Sequence, residues 1–339
     1  MIKIDIFSGF LGAGKTTLIK KLISEGYTGE KLVLIENEFG EIGIDGGFLQ
    51  DAGITVNEMN SGCICCSLVG DFAKALEQVI AQYSPDRIVI EPSGVGKLSD
   101  VKKAVSTVLS DSVVLNGCIT VADVNKCKMY VKNFGEFYVD QIENADVIVL
   151  SHTQSATDKK ISECVSLIRE HNAKASVVIT PWDQISGGQI IEAMEQKNTL
   201  ESELEQLRNE ASSHHHDHHH DGECHHDHHH DHGEGCTCGC HDHHHHHADE
   251  VFESWGVEST AKFTADQISS ILAQLENEEE YGFILRAKGI VAGDDGKWIH
   301  FDYIPEEPNV RYGSASLIGR ICVIGSKINK DKISALFGV

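Results

Sequence analysis

Residues Gly9-Phe10-Leu11-Gly12-Ala13-Gly14-Lys15-Thr16 set glycines, a lysine and a hydroxyl in the order G-x-x-x-x-G-K-[ST]. Backbone N–H groups of such a turn can wrap a polyphosphate when a strand delivers the turn and a helix leaves it. Both flanks are present. The apolar run Ile2 to Phe7 precedes the pattern, and Leu18, Ile19, Leu22 and Ile23 follow at helical spacing, with Gly26 as the stop. In this arrangement Gly12, Ala13, Gly14, Lys15, Thr16 and Thr17 form the cradle, Lys15 reaches the terminal phosphates and the Thr16 hydroxyl ligates Mg²⁺.

Three more groups bear chemistry. After Arg87-Ile88-Val89-Ile90 comes Glu91-Pro92-Ser93-Gly94-Val95-Gly96, an acid at the end of an apolar strand followed by glycines. Glu91 is placed to hold Mg²⁺ through water, and the Gly94 N–H to meet a γ-phosphate and move when it leaves. The run Glu36-Asn37-Glu38-Phe39-Gly40-Glu41, then Asp45, crowds carboxylates at the end of another predicted strand. A charge run can be a solvated face, but here it falls where P-loop NTPases put their first switch, which makes Glu38 and Glu41 candidates beside the attacking water.

Asn60-Ser61-Gly62-Cys63-Ile64-Cys65-Cys66 puts three thiols directly before a helix. Thiolates are soft ligands for Zn²⁺ or Cu⁺, and a helix N-terminus favours their charged form. Three Cys do not close a tetrahedral structural site, so Glu36, Glu41 or a water completes an exchangeable one. Buried thiols or a redox pair are the competing readings.

Eighteen of the 21 histidines lie between His214 and His247. The tract runs through His214, His215, His216, His218, His219 and His220, then Cys224, His225, His226, His228, His229 and His230, then Cys236, Cys238 and Cys240, then His241 and His243 to His247. Interspersed Asp and Cys and the interior position argue against a purification tag. Imidazoles suit Zn²⁺, Ni²⁺, Co²⁺ and Cu²⁺ alike, so the tract offers capacity without selectivity.

The remaining chain must position these groups. With 339 residues, two domains are expected. A net charge of -24 argues against nucleic acid, which is bound by clustered Lys and Arg, and suits cations. No apolar run is long enough to span a bilayer and the N-terminus enters a strand directly, so the expectation is a cytoplasmic protein without a membrane role. Cys118, Cys127, Cys164 and Cys322 stand in apolar surroundings and read as core thiols.

Up to about residue 195, apolar strands alternate with helical patterns: Ile2 to Phe7, Leu32 to Ile35, Ile54 to Glu58, Arg87 to Ile90, Gly117 to Val121, Val147 to Leu150 and Ser176 to Ile179. This is an α/β fold, a mostly parallel P-loop sheet with helices on both faces, over residues 1–197. Residues 198–250 lose their aliphatics and read as a metal-binding linker that buries no core. Residues 251–339 read as a smaller α+β domain, with strands at Ser259 to Phe263, Phe283 to Val291, Lys297 to Tyr303 and Arg320 to Ile324, and helices at Asp266 to Leu275 and Lys330 to Phe337.

Taken together, GFLGAGKTT from Gly9, ENEFGE from Glu36, GCICC from Gly62 and EPSG from Glu91 closely resemble the CobW-like metallochaperone GTPases. The resemblance extends to Thr120-Val121-Ala122-Asp123, to Leu285-Arg286-Ala287-Lys288-Gly289 and to the histidine tract. It implies a GTPase domain followed by a CobW-like C-terminal domain, Zn²⁺ or another divalent metal at the thiol motif, and GTP hydrolysis coupled to delivery into a client metalloprotein. A homodimer is left open. A metal buffer or sensor with a regulatory nucleotide domain, and a P-loop ATPase or kinase of a cofactor pathway, are the alternatives.

One departure concerns the base. Where the family carries Asn-Lys-x-Asp, this chain has Ser151-His152-Thr153-Gln154 after the strand Val147 to Leu150. A carboxylate accepts from guanine N1–H and the exocyclic amine, whereas the Gln154 amide both accepts and donates and so can read either purine. GTP is the expected nucleotide with ATP open, and Ser151, His152 and Gln154 are the base-site candidates.

Overall fold

The computed structural model describes residues 1–36, 55–58, 69–195, 200, 204, 207 and 253–339. Seven strands, β1 (Ile2–Gly9), β2 (Leu32–Glu36), β3 (Thr55–Glu58), β4 (Arg87–Glu91), β5 (Val113–Asp123), β6 (Val147–Ser151) and β7 (Ser176–Val178), pair in the order β3-β2-β4-β1-β5-β6-β7. Every pairing is parallel. Near-continuous aliphatic strands must be covered on both faces, and among the described residues six helices do so: α1 (Lys15–Glu25), α2 (Val69–Tyr83), α3 (Leu98–Ser106), α4 (Cys127–Glu143), α5 (Asp158–His171) and α6 (Gly187–Met194). Ile4, Ile6, Ile88 and Ile90 pack with Leu76, Val101 and Ile142 on one face, while Phe7, Val89 and Val121 pack with Leu18, Leu22 and Ile190 on the other.

Asp5 breaks the apolar pattern of β1 and is fully buried. Its carboxylate accepts from Asn116 Nδ2 at 2.8 Å, from the Tyr27 hydroxyl at 3.0 Å and from the Arg87 guanidinium, which also grips Glu30. Burial holds the Asp5 carboxyl above its usual range, against the opposing pull of Arg87. The network ties β1, β4, β5 and the turn after α1 below the strand ends that carry the site. Cys118, Cys127, Cys164 and Cys322 are buried, as their surroundings suggest. Burial pushes the Cys118 thiol up to about 12, which leaves it protonated and unsuited to metal.

The C-terminal region forms an antiparallel sheet in the order β12-β11-β10-β13-β8. Its strands are β8 (Glu253–Ser259), β9 (Lys262–Phe263), β10 (Phe283–Gly293), β11 (Trp298–Ile304), β12 (Glu307–Gly313) and β13 (Gly319–Ser326), with helices α7 (Ala265–Gln274), α8 (Glu278–Tyr281) and α9 (Lys330–Phe337). The expected strand at Ser259 to Phe263 is corrected: Ser259 ends β8, and only Lys262–Phe263 continue, as the short β9 that pairs with β10. The edge strand β12 has no counterpart among the expected strands. Ile268, Leu272, Ile333 and Phe337 cover one face of the sheet.

The other face is covered from an unexpected source. Leu207 is buried against Cys322 and Ile324, with Leu200 and Leu204 packed beside it. These leucines fall inside the segment expected to bury no core, and their spacing of four and three puts them on one helical face. The C-terminal region also hydrogen-bonds to the elements of the parallel sheet. Ile179 N–H donates to the Leu317 carbonyl at 2.9 Å and Gln189 Nε2 to the Ala315 carbonyl at 2.7 Å, while Leu317 and Ile318 enter the two cores flanking the parallel sheet.

Candidate functional site

The C-terminal ends of β1 and β4 carry the glycine-rich cradle and Glu91. Gly9 adopts φ +142°, and a Cβ there would sit 2.5 Å from the Val121 carbonyl oxygen, so the cradle begins where only glycine fits beside β5. Gly14 at φ +103° launches α1. Lys15 is buried, and its ammonium donates to the Gly9 carbonyl at 3.0 Å, inside the loop it is expected to serve.

The Thr16 hydroxyl lies 3.1 and 3.2 Å from the two oxygens of Glu91. A hydroxyl and a carboxylate at this separation are the hard oxygen donors that Mg²⁺ takes, directly or through water. The residues therefore fit the ion. Parallel register sets Glu36 of β2 beside Glu91 of β4 on one side and beside Glu58 of β3 on the other. Glu36 is buried at this edge.

The loop after β4 touches the cradle directly, since a Cβ on Gly94 would meet Leu11 N at 2.8 Å. Gln141, fully buried in α4, holds this loop by donating from Nε2 to the Gly94 carbonyl at 3.1 Å and the Gly96 carbonyl at 2.8 Å. The backbone carbonyl of Gln141 accepts from the Thr120 hydroxyl at 2.6 Å. Sequence reasoning missed Gln141. Its one signal is a glutamine set between Tyr138 and Ile142 on the apolar stripe of α4.

Beyond the cradle opens a cavity of about 280 Å³ lined by Ala13, Gly14, Thr17, Ser151, His152, Gln154, Trp182 and Asp183. The base-site candidates Ser151, His152 and Gln154 thus line one cavity with the cradle residues Ala13, Gly14 and Thr17, while Gly12, Lys15, Thr16 and Gly94 are not on its wall. His152 has φ +60° and is half exposed, with Nε2 4.0 Å from the Asp123 carboxylate. Trp182 and Asp183 were not anticipated. The rule that ligands sit beyond the C-terminal ends of parallel strands points to the loop after β7, which is where they lie. Trp182 is oriented by its indole N–H, which donates to the Leu150 carbonyl at 2.9 Å.

Glu38, Glu41, Asp45, Cys63, Cys65, Cys66 and the tract from His214 to His247 lie outside the described residues. Among the described residues no helix is long and apolar enough to cross a membrane.

A parallel sheet whose first strand runs through a glycine-rich cradle into α1, with an acid at the end of β4 facing the cradle threonine, defines a P-loop nucleotide-binding protein. The chain belongs to the CobW/HypB/UreG family, whose nucleotide-binding domain matches residues 3–179. It is 27% identical over 318 residues to zinc-regulated GTPase metalloprotein activator 1 of Schizosaccharomyces pombe, covering 90% of this chain and 75% of that protein. It is 32% identical over 158 residues to the zinc chaperone YeiR of Escherichia coli, covering 46% of this chain and 48% of YeiR. Identity to the zinc chaperone YjiA of the same organism is 32% over 198 residues, covering 55% of this chain and 60% of YjiA. The chain therefore spans less than two thirds of either bacterial relative.

Proposed function

We propose that this chain is a cytoplasmic GTP-hydrolysing metallochaperone that binds zinc and delivers it to a client metalloprotein. Family membership supports the nucleotide half of the reading, and the zinc and GTPase names of its relatives support the other half. A homodimeric form belongs to the same proposal.

The observation that carries the coupling is the register Glu36↔Glu91. Neighbouring strands lie about 4.8 Å apart, so a carboxylate assigned to the cargo metal stands one strand from the carboxylate assigned to Mg²⁺. In this reading Lys15 leaves the Gly9 carbonyl for the terminal phosphates, and N–H groups from Gly12 to Thr17 cradle the rest. Thr16 and Glu91 would hold Mg²⁺, which would neutralise charge on the phosphate oxygens.

Glu38 and Glu41 orient the attacking water. Cys63, Cys65 and Cys66, with Glu36 or Glu41, hold the zinc, and the histidine tract makes the first capture of ions. Loss of the γ-phosphate frees the Gly94 N–H, and the contacts of Gly94 with Leu11 and Gln141 carry its movement to the cradle and to α4.

The test is nucleotide hydrolysis by the full chain with GTP and with ATP, each with and without Zn²⁺, Ni²⁺, Co²⁺ or Cu²⁺. The proposal expects GTP to be preferred and Zn²⁺ to change its rate. Equal use of both nucleotides, or indifference to every metal, overturns it.

A further inference from the structure

The cavity beyond the cradle has one carboxylate on its wall among the described residues, and it is not on the strand-end motif where the family reads the base. We infer that Asp183 is the base-reading residue of this chain, its two oxygens accepting from N1–H and the 2-amino group of guanine in place of the acid that Gln154 replaces. This rests on the guanine-nucleotide reading above.

Carboxylate chemistry makes the discrimination. An ionised Asp only accepts, at two adjacent oxygens. Guanine offers two adjacent donors on one edge, whereas adenine offers one donor beside a ring-nitrogen acceptor that the second oxygen would repel. The Gln154 amide pairs one acceptor with one donor and so favours neither purine.

Position supports the assignment. Gln184 N–H donates to the Pro181 carbonyl at 2.9 Å, closing a turn with Trp182 and Asp183 at its centre. That turn is fixed on three sides. Trp182 donates to Leu150 on β6, the Thr180 hydroxyl donates to the Leu317 carbonyl at 3.2 Å, and Ile185 is buried in the core with Leu18 and Leu22. A side chain on so restrained a turn can read a base because little ordering is left to be lost on binding.

Asp183 itself is exposed and makes no hydrogen bond or ion pair among the described residues, so its oxygens are available to a ligand. The Ser151 hydroxyl, on the same wall, is buried without a hydrogen-bond partner among the described residues. It is a second polar group awaiting a partner there.

The experiment measures affinities of the full chain for GDP, IDP, XDP and ADP by titration calorimetry, for the unsubstituted protein and for Asp183→Asn, Asp183→Ala and Gln154→Ala. IDP lacks the 2-amino group and XDP carries a carbonyl in its place. The unsubstituted protein should favour GDP by about 10- to 100-fold, the range for hydrogen bonds to a charged group. Asp183→Ala should bind GDP no better than IDP, and Asp183→Asn should gain XDP as its amide donor meets the new carbonyl.

Gln154 also lines the cavity, so Gln154→Ala should weaken the four diphosphates alike and keep their original order. Retention of the GDP preference in both Asp183 variants, or its loss in Gln154→Ala alone, overturns the inference and leaves the GTP reading standing. Equal binding of ADP and GDP by the unsubstituted protein overturns the guanine reading and this inference with it.

Discussion

Gln141→Met tests whether the loop after β4 is held by one buried amide. The substitution keeps side-chain length and removes both donors, to the Gly94 carbonyl at 3.1 Å and the Gly96 carbonyl at 2.8 Å. Both glycines are buried, so water does not readily replace the amide. A buried carbonyl left without its partner costs roughly 1–3 kcal/mol, and two together suggest about 2–4 kcal/mol once relaxation is allowed. Equilibrium urea unfolding of the nucleotide-free protein should show that loss.

The functional readout is separate. Gln141 does not line the cradle or the base cavity, so GDP affinity should stay within about threefold. If the Gly94 N–H meets the γ-phosphate as proposed, GTP turnover should fall about tenfold or more, because that N–H is no longer held in place. Normal turnover in a protein destabilised by the expected amount would refute the positioning role and leave Gln141 a structural residue only.

Two further outcomes follow from the packing. Burial holds the Asp5 carboxyl above the ordinary carboxylate range, so as pH falls the native state binds this proton before the unfolded chain does, and its contribution makes stability fall as pH rises through the folded value. Asp5→Asn should flatten that part of the profile in urea midpoints taken from about pH 4 to pH 7, and an unchanged slope would exclude Asp5 as its source. Leu317 comes from the C-terminal region yet is buried in the core beside β7. Leu317→Ala should cost about 2–4 kcal/mol and weaken GDP binding through the turn that Thr180 anchors, whereas full retention of GDP affinity would show that this strap does not support the base cavity.

The parallel sheet was legible because its strands are unbroken aliphatic runs and the cradle pattern fixes which strand comes first. All seven expected strands form, within a few residues at their ends. The C-terminal sheet was harder to read. Glu307–Gly313 is mostly exposed and carries Pro308, which suits an edge strand but suppresses the sequence signal.

Of the site, Thr16 at the start of α1 meets Glu91 at the end of β4, and Gly94 lies against Leu11, because short-range order places these residues at the strand end, the loop after it and the first turn of the helix. Trp182, Asp183 and Gln141 could not be read that way. Their roles depend on which loop follows which strand in the folded sheet and on a hydrogen bond spanning 47 residues from Gln141 to Gly94. Leu200, Leu204 and Leu207 were hidden for a compositional reason: a short leucine stripe beside a long polar tract is outweighed in any average over the segment.

The central claim is that nucleotide state and metal affinity share the strand ends at Glu36 and Glu91. Competition of the full chain against a chromogenic zinc chelator, with a non-hydrolysable GTP analogue and then with GDP, measures that link directly. The coupling range of about 5- to 150-fold is the difference expected between the two states. The same zinc affinity in both would contradict the account.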